Sequence, residues 1–599
     1  MRLFIVSLFS LLFHASHLMA NDYAYTLRWL PGNHHTYEVS LQTEATKGKY
    51  TDFKLPVWRP GRYFEQDFAA SVTRFQAMDA AGNTLSWQKT DKSTWRVENP
   101  RKGDITIRYH FYANTQDAGS CYVDDKMVYF NGHNLLMYKD AAYLLPCTLT
   151  VPQWPEGWPV ATALRHDVAT KTFYAQDYHE LVDSPTILSP SLKSFGFDYQ
   201  GHTYHLHFQA DKQLDEAFIS PFRENVKKIV AEQVAIFGEV PFEGDYHFIY
   251  WLVPFRIHHA VEHSKSAMFC KPATVAETPQ SLSELNGITS HEFWHVWNVK
   301  SIRPAALWPY DYSHPQYTSL HWFTEGVTEY MSNLILVRAG LLPQDNYLDL
   351  LTRTWAGLDN KPVYAEVSPS QSSWDSWLAR SLYMPDHLRN SYYPLGDRVG
   401  FLLDMRLRKL TGQDKCLDDV FRYLYTTYYK QGKGVPEDGV EKACETLTGT
   451  SFASFFRTYV HSPAPVDYAA ILKPMGLKLE ESREEPSRQG ADKIGLMGLQ
   501  TIQEGYQYIA EVERGSPAFE AGVSDGELLL MVDGINALEY NWEPLEPGQK
   551  VELMLGNGTD KPRLVKVKYE KESLPIRYEL KGVGQAEWKD RWLGSQAAH

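Results

Sequence analysis

The stretch HEFWH at residues 291–295 decides how the central part of this chain folds. Residues i and i+4 of a helix lie on one face, so the imidazoles of His291 and His295 can bind the same metal ion. Glu292 lies about 100° around such a helix from its neighbour, where its carboxylate can take a proton from water at the metal. The spacing therefore predicts a metal-binding helix with a general base. The alternative is a core helix that contains two buried histidines.

A second apolar helix, expected from His321 through Leu336, carries the candidates for a third ligand. A carboxylate on an apolar helix is costly unless it is paired or bound to a metal, and this helix has two, Glu325 and Glu329. One of them can complete a His₂Glu site with an open position for water, and the other can accept the free N–H of a ligand histidine. The residues alone leave these two roles interchangeable.

The composition is that of a globular protein with several domains. The chain has 599 residues, of which 43% are hydrophobic and 22% are charged, so collagen, coiled-coil and largely disordered proteins are excluded. The length predicts about four domains. The net charge of −14 and the lack of a basic stripe argue against a nucleic-acid partner.

The N-terminus is expected to be a secretory signal peptide that ends at Ala20. An apolar run, Leu3–Phe13, follows Arg2 and is too short to span a bilayer. The alternative is a buried N-terminal strand. No later segment reaches about 18 apolar residues, so we expect no membrane span after cleavage and an exported protein, periplasmic or secreted.

Five cysteines remain after the expected cleavage, so at least one is free. The pairs Cys121–Cys147 and Cys416–Cys444 are possible in an exported protein. The alternative is that all of them are buried thiols.

Hydrophobic periodicity divides the chain into regions of different structure. Alternation such as ITIRYHF at 105–111 predicts strands in the N-terminal part, and the pattern over 215–237 predicts an amphipathic helix. The run YHFIYWLV at 246–253 predicts a strand, after which helices dominate. The expected parts are a signal peptide (1–20), an N-terminal β-domain (21–193), a mostly α-helical domain (194–479), a linker (480–492), a β-rich module (493–572) and a tail (573–599).

The residues around the metal helix resemble the glycyl aminopeptidase family of zinc metallopeptidases. The resemblance rests on HEFWHVWNVK at 291–300, on PVWRPGRY at 56–63 and on SYYPLG at 391–396. It implies a multidomain α+β fold with an N-terminal β-sandwich-like domain, a thermolysin-like catalytic domain that holds one zinc ion (Zn²⁺), and a C-terminal PDZ domain. In that family the glutamate of the Glu-Gly pair is the third ligand, which assigns Glu325 to the metal and Glu329 to the supporting role.

The same resemblance implies a hydrogen-bond donor for the oxyanion that forms during peptide hydrolysis. Related enzymes place a tyrosine three residues before the glycine of this stretch, which here is Tyr393, with Tyr392 as the near alternative. A lysine of the family pattern is replaced by Leu395. The alternative role for Tyr393 is that of a packed core tyrosine.

A carboxylate that holds the substrate's free amine is implied at Glu262. The stretch HAVEHSKS at 259–266 resembles the family's Gly-Gly-Leu-Glu-His segment, although His259 and Ala260 replace the glycines. Side chains at these positions can narrow the pocket or change its preference. The alternative is that Glu262 is an exposed loop carboxylate.

The C-terminal module resembles a PDZ domain through GLMGL at 495–499 and through residues 515–534. PDZ domains bind peptides by adding a strand at a sheet edge, usually beside a helix. Residues 539–546 are too few for that helix and its turns, so a packing or gating role is as reasonable as peptide capture.

Together these features predict a zinc aminopeptidase that acts on peptides with free N-termini. Small first residues, glycine or alanine, are implied by the family resemblance. One alternative is a zinc endopeptidase with the same site, which would tolerate acetylated N-termini. The other is a non-catalytic envelope adaptor that acts through its β and PDZ-like domains.

Overall fold

The computed structural model describes residues 23–594 except 101–102, 140–142, 213, 278, 379–383, 385–387, 484–498, 504–506, 513, 542–547, 558–560, 570–574 and 583–586. The expected signal peptide lies outside the described residues. The described chain forms two compact units, which are considered separately. Unit 1 contains the described residues of Met1–Ile219, Phe242–Glu277 and Asp311–Pro315, and unit 2 contains those of Ser220–Pro241, Thr278–Tyr310 and Gln316–His599.

Unit 1 consists mainly of strands. They are β1 (Tyr23–Trp29), β2 (Thr36–Glu44), β3 (Tyr50–Lys54), β4 (Val72–Asp79), β5 (Trp87–Asp91), β6 (Thr94–Glu98), β7 (Asp104–Tyr112), β8 (Tyr122–Val123), β9 (Val128–Phe130), β10 (Tyr138–Lys139), β11 (Cys147–Thr150), β12 (Val160–Ala161), β13 (Arg165–Asp167), β14 (Thr172–Ala175), β15 (Thr186–Leu188), β16 (Lys193–Tyr199), β17 (His202–Ala210), β18 (Tyr246–Val253), β19 (His259–Glu262) and β20 (Ser266–Pro272). Two short helices are α1 (Gly132–Leu135) and α2 (Tyr178–Val182).

The largest sheet of unit 1 has the strand order β13-β14-β11-β1-β2-β7-β4. Its central strands alternate buried and solvent-facing residues, as the period-two pattern predicted, and β2 pairs antiparallel with β7 so that Leu41 faces Ile107. Two smaller sheets have the orders β10-β3-β6-β5 and β12-β15-β9-β8. The N-terminal part of the chain is therefore β-rich, as expected.

A five-stranded mixed sheet, β16-β17-β18-β20-β19, carries the candidate amine-binding residue. The predicted strand at 246–253 is confirmed as β18, and its near-continuous burial suits a strand between two parallel neighbours, β17 and β20. At the sheet edge, β19 pairs antiparallel with β20 and ends at Glu262. These strands belong to unit 1, whereas the sequence prediction began the helical domain at residue 194.

Unit 2 consists mainly of helices. They are α3 (Glu216–Phe237), α4 (Pro279–Trp294), α5 (Val327–Arg338), α6 (Gln344–Asp359), α7 (Pro369–Trp374), α8 (Tyr392–Leu410), α9 (Leu417–Thr427), α10 (Gly439–Thr448), α11 (Ala453–Tyr459), α12 (Tyr468–Leu472), α13 (Pro517–Glu520) and α14 (Glu587–Leu593). The predicted amphipathic helix at 215–237 is confirmed as α3, most of which lies in unit 2. Buried aromatic rings join the helices, for example Trp294 against Phe421 at 5.0 Å between ring centroids.

Unit 2 also contains the C-terminal strands. They are β21 (Leu477–Arg483), β22 (Leu499–Gln503), β23 (Gln507–Val512), β24 (Leu528–Val532), β25 (Ile535–Asn536), β26 (Lys550–Gly556), β27 (Arg563–Lys568) and β28 (Ile576–Gly582). Strands β22 to β27 form a sheet of order β22-β23-β24-β26-β27, with β25 paired to β24. The predicted module is thus β-rich, and most of the interval 539–546 lies outside the described residues.

The predicted linker and tail contain regular structure where they are described. Residues 480–483 belong to β21, which pairs antiparallel with β28 in the predicted tail, and the tail also contains α14. In β28, Ile576, Tyr578 and Leu580 alternate with charged residues, so a period-two pattern was present and the expectation of a tail overlooked it. In β21, only charged or polar residues follow Leu479, so its pattern is weak.

All five cysteines are free, and four of them are buried. Neither possible disulfide is therefore formed, and the alternative of buried thiols holds for four of the five cysteines. Among the described residues, no helix has the length and apolarity needed to cross a bilayer.

Candidate active site

The two histidines of HEFWH lie where α4 ends in unit 2. Helix α4 includes His291, and His295 follows its last residue and continues into a series of turns. The His295 carbonyl accepts hydrogen bonds from the N–H groups of Val299 at 3.2 Å and Lys300 at 2.9 Å. The i, i+4 spacing holds the two imidazole centroids 4.7 Å apart, as the sequence predicted.

A π-helical turn, Trp322–Gly326, precedes α5 and places Glu325 opposite these histidines. The π-helix is rare and usually occurs as a single turn near a functional site. Ser290 fastens α4 to α5, because its hydroxyl donates to the Ser332 carbonyl at 2.9 Å. The predicted apolar helix is thus present, with an irregular first turn that contains the carboxylate.

Three side chains converge on one point. The Glu325 Oε2 atom lies 3.8 Å from His291 Nε2 and 3.4 Å from His295 Nε2, and the three ligand atoms lie within 4.8 Å of one another. Glu325 is 2% exposed, and its Oε1 atom has no hydrogen-bond partner among the described residues. Because a buried carboxylate oxygen needs a compensating partner, this arrangement fits a small cation held by two imidazoles and one carboxylate.

Hydrogen bonds on the far side of each imidazole orient the pair. His291 Nδ1 donates to Glu329 Oε2 at 3.1 Å, and His295 Nδ1 donates to the Asn298 carbonyl at 2.6 Å. With the proton on Nδ1, the lone pair of each Nε2 faces the shared point beside Glu325. The geometry thus separates the two glutamates that the residues alone left interchangeable.

Asn298 is a residue whose part in the site sequence reasoning missed. Its side-chain amide donates to the Phe323 carbonyl at 2.9 Å and to Thr328 Oγ1 at 3.0 Å. It therefore links the turn after His295 to the π-helical turn that carries Glu325. The sequence indicated this role only through the position of Asn298, three residues after His295.

Electrostatics reflect the close packing of these groups. Burial raises the pKa of Glu325, but the neighbouring charges of His295 and His291 outweigh this effect and lower the pKa overall. Burial lowers the pKa of His291, yet hydrogen bonds to Glu325 and Glu329 raise it well above the usual value. Both shifts come from the close approach of one carboxylate to two imidazoles at the shared point.

The two candidate oxyanion donors begin α8. The Tyr393 ring stacks on His291 with 6.2 Å between centroids, whereas the Tyr392 ring lies 5.5 Å from that of His321. Ser391 caps the helix by accepting the Tyr393 N–H at 3.2 Å. The Tyr393 ring therefore packs against a candidate ligand.

The remaining candidates are both buried glutamates. Glu292 is 6% exposed and lies on α4 beside His291. Glu262 belongs to unit 1, at the end of β19, and is 3% exposed, so it is not an exposed loop carboxylate. Within the part of the chain that the structure describes, its Oε1 atom has no hydrogen-bond partner.

Two solved structures illustrate what this fold is similar to. An aminopeptidase N family protein from Idiomarina loihiensis is 23% identical, with a TM-score of 0.83, and the match covers 95% of this chain and all (100%) of that one. An M1 zinc metallopeptidase from Deinococcus radiodurans is 15% identical, with a TM-score of 0.46, over 74% of this chain and 94% of that one. The first likeness establishes the fold, and the second is too loose to carry an argument.

Family comparison matches two stretches of the sequence, although no curated protein matches it. Residues 24–190 match the Peptidase M61 N-terminal domain. Residues 284–399, which include the candidate metal ligands, match the M61 glycyl aminopeptidase. The resemblance drawn from the sequence is thereby confirmed over these two stretches, and the match supports a metallo-aminopeptidase.

Proposed function

We propose that this protein is a zinc-dependent aminopeptidase that removes single N-terminal residues, with a preference for glycine and alanine. The observation that carries the proposal is the convergence of His291, His295 and Glu325, with a carboxylate oxygen left unpaired. A His₂Glu set with one open position is the ligand set of catalytic zinc in peptidases. The preference for small residues rests on the description of the matching family.

His291 Nε2, His295 Nε2 and a Glu325 carboxylate oxygen would hold the zinc ion, one per chain. Bound there, zinc would supply Lewis acidity, which acidifies a water molecule and polarises the scissile carbonyl. Glu329 would keep the His291 imidazole in the orientation and tautomer that binding requires, through its 3.1 Å hydrogen bond.

Glu292 would act as the general base and then as the general acid. Its carboxylate would take a proton from the attacking water and pass it to the leaving amine as the peptide bond breaks. Tyr393 would donate a hydrogen bond to the carbonyl oxygen as negative charge develops there, a contribution of about 10²–10³ in rate for such donors. Its ring position beside His291 supports Tyr393 over Tyr392.

Glu262 would hold the substrate's free α-ammonium and so limit cleavage to the first residue. The buried carboxylate with an unpaired oxygen supports this role, since an ammonium group can satisfy that oxygen. The substrates would then be peptides with free N-termini.

We further propose the domain division given by the sequence, with an exported protein and a PDZ-like module at 493–572. The sheet of β22 to β27 and its buried core of aliphatic residues support such a module. If the module binds peptides, adding a peptide that it binds should change the activity. If it only packs against its own chain, added peptides should leave the activity unchanged.

The test is hydrolysis of glycyl, alanyl and leucyl chromogenic amides, each free and N-acetylated, by protein beginning at Asn21. We expect chelator-sensitive cleavage of the free glycyl and alanyl amides alone. Glu292→Gln should abolish turnover while zinc remains bound, as metal analysis would show. Cleavage of acetylated amides would favour an endopeptidase instead, and undiminished turnover by Glu292→Gln would refute its role as base.

A further inference from the structure

The stretch PVWRPGRY at 56–63 contains a tight turn whose geometry depends on glycine. The Arg62 N–H donates to the Arg59 carbonyl at 3.2 Å, and Pro60 and Gly61 occupy the two central positions. Gly61 has a φ of +79°. Proline at the second position and a positive φ at the third are the features of a type II turn, which favours glycine at the third position.

The turn presents the bare Cα of Gly61 to the carboxylate of Glu262, within unit 1. A Cβ atom added at Gly61 would lie 2.3 Å from Glu262 Oε2, 3.0 Å from its Cδ and 3.1 Å from Oε1. A methyl group at position 61 would therefore force this carboxylate out of its present position. Glycine is needed here for two separate reasons, the backbone conformation and the contact with Glu262.

Both sides of this contact are held in place. Arg59 is 1% exposed, and its guanidinium donates from Nη1 to the Pro60 carbonyl at 3.1 Å and lies 3.3 Å from His259 Nε2. His259 starts β19 and Glu262 ends it, while the whole strand pairs with β20. The turn and the strand are thus tied together, so a methyl group at position 61 would displace the side chain of Glu262 rather than separate the two backbones.

His259 occupies a position where the related family has glycine, and its contacts show where its side chain goes. The ring lies against the Arg59 guanidinium, and its Nδ1 atom accepts the Ala118 N–H at 3.2 Å. Burial, followed by the charge of Arg59, lowers the pKa of His259, so the ring is neutral near pH 7. The imidazole is therefore part of the contacts that hold the Arg59 side chain against β19.

We propose that Gly61 is a positioning residue for recognition of the substrate's α-ammonium. The inference rests on the proposed role of Glu262 as the amine-binding group. By leaving space for the carboxylate, Gly61 fixes it in the orientation in which the unpaired Oε1 is available to the ammonium. The turn from Arg59 to Arg62 contains none of the proposed catalytic or metal-binding residues. Under this proposal, its role is to help select substrates with free N-termini.

The test compares two metal-directed inhibitors that differ by one amine, glycine hydroxamate and acetohydroxamate. Their dissociation constants on the zinc-loaded full chain are measured by calorimetry, which does not depend on turnover. In the unmodified protein we expect the amine to improve binding about 10- to 100-fold, the range of a charge-assisted hydrogen bond. Gly61→Ala should remove most of that advantage and leave acetohydroxamate binding unchanged.

Gly82→Ala is the matched control, because Gly82 has a φ of +84° and nothing within 4 Å of an added Cβ. It introduces the same backbone strain without a contact, so it should lower the melting temperature but keep the amine advantage. An equal advantage in Gly61→Ala and Gly82→Ala would overturn the proposal. If Glu262→Gln also keeps the advantage, the fault lies in the proposed function, since Glu262 then does not bind the amine.

A second variant covers the case in which Gly61→Ala does not fold. Glu262→Asp keeps the charge but withdraws the carboxylate by one methylene from the face of Gly61. If position matters as proposed, the amine advantage falls about tenfold or more in this variant too. An undiminished advantage would mean that charge alone suffices and would overturn the proposal.

Discussion

At the scale of single residues, the candidate metal centre depends on groups that do not touch the metal position. Glu329 and the Asn298 carbonyl each accept an imidazole Nδ1–H, and this fixes which nitrogen of His291 and His295 is available for binding. Glu329 is itself held by Asn333, whose amide donates to Oε1 at 3.0 Å. These contacts reduce the number of ring orientations that must be lost when a metal binds.

Replacing Glu329 with glutamine should weaken zinc binding about 10- to 100-fold, the range for groups that orient a ligand histidine. The amide can still accept from His291 but lacks the negative charge that makes the imidazole a stronger ligand. The measurement is competition for zinc with a chromogenic chelator. Glu520→Gln, at an exposed position in unit 2, is the control, and equal affinities in the two variants would contradict the role of Glu329.

At the scale of secondary-structure elements, two glycines allow α8 to pack directly on the π-helical turn. A Cβ atom on Gly396 would lie 2.0 Å from the Trp322 carbonyl oxygen, and one on Gly326 would lie 2.5 Å from the Gly396 Cα. This backbone contact places Tyr393 and Glu325 in one rigid assembly within unit 2. The same close backbone contact thus explains both the glycine of the Glu-Gly pair, Gly326, and the glycine of SYYPLG, Gly396.

We expect Gly396→Ala to separate these two elements and to lower the free energy of unfolding by about 1–3 kcal/mol, as overpacking usually does. Turnover should fall with it, because the tyrosine and the third ligand would shift relative to each other. Gly357→Ala in α6 is the control: nothing lies within 4 Å of its added Cβ, and alanine favours helix. Urea unfolding and amide hydrolysis of both variants provide the measurement, and equal stability of the two would refute the packing argument.

Stacked histidines on the mixed sheet of unit 1 make a second element-scale feature. His207 Nε2 and His247 Nδ1 share a hydrogen bond of 3.0 Å, and the His205 ring stacks on that of His247 with 4.8 Å between centroids. Burial, then the charge of His205, lowers the pKa of His247 to about 3, while Asp245 opposes the shift. Burial, followed by the charges of His247 and His205, lowers the pKa of His207 as well.

These shifts predict that strands β17 and β18 lose stability in acid. Above about pH 6.5, His247 is neutral in both the folded and the unfolded chain. Between about pH 6.5 and pH 3, His247 becomes protonated only in the unfolded chain, which favours unfolding. His247→Gln keeps a donor and an acceptor for His207 and cannot be protonated. The loss of stability with falling pH should therefore be shallower by up to about 1.4 kcal/mol per pH unit.

The measurement is hydrogen exchange of peptides from β17 and β18 between pH 7 and pH 5, corrected for intrinsic exchange rates. His34→Gln, at an exposed position in the same unit, is the control. An unchanged pH dependence in His247→Gln would show that the histidine stack does not govern acid stability.

At the scale of the whole chain, the C-terminal segment of unit 2 is part of the catalytic core. Trp592 on α14 is fully buried, donates from Nε1 to the Tyr330 hydroxyl at 2.8 Å and packs near Tyr347 and Phe401. Tyr330 in turn donates to Asp404 at 2.7 Å and follows Glu329 on α5. The end of the chain therefore supports the helix that carries the glutamate beside His291.

Trp592→Ala should lower the free energy of unfolding of unit 2 by about 3–5 kcal/mol, the usual cost of removing a buried aromatic ring. Zinc affinity should fall as well, because α5 loses a contact next to Glu329. Trp588→Ala on the same helix is the control, since Trp588 is only partly buried. Equal melting temperatures of the two variants would indicate that α14 is not part of the core.

Sequence reasoning succeeded where structure depends on local pattern. Helix α3 and strand β18 follow from periodicity because each is marked by its own apolar residues. The pairing of β21 with β28 escaped it because the two strands lie about 100 residues apart along the chain. The contact between Gly61 and Glu262 was also beyond prediction, since it joins residues from a turn and a distant strand.

The sequence by itself determined the ligand types and their helical spacing, because the geometry of i and i+4 on one helix is local. It also indicated the resemblance to M61 peptidases, through motifs that lie within the two stretches matched by that family's models. Only tertiary structure decided which glutamate faces both Nε2 atoms, which tyrosine stacks on His291 and which backbone groups orient the imidazoles. The physical reason is that each of these contacts joins segments that are distant in the sequence. The packing of the π-helical turn against α4 and α8 fixes all of them together.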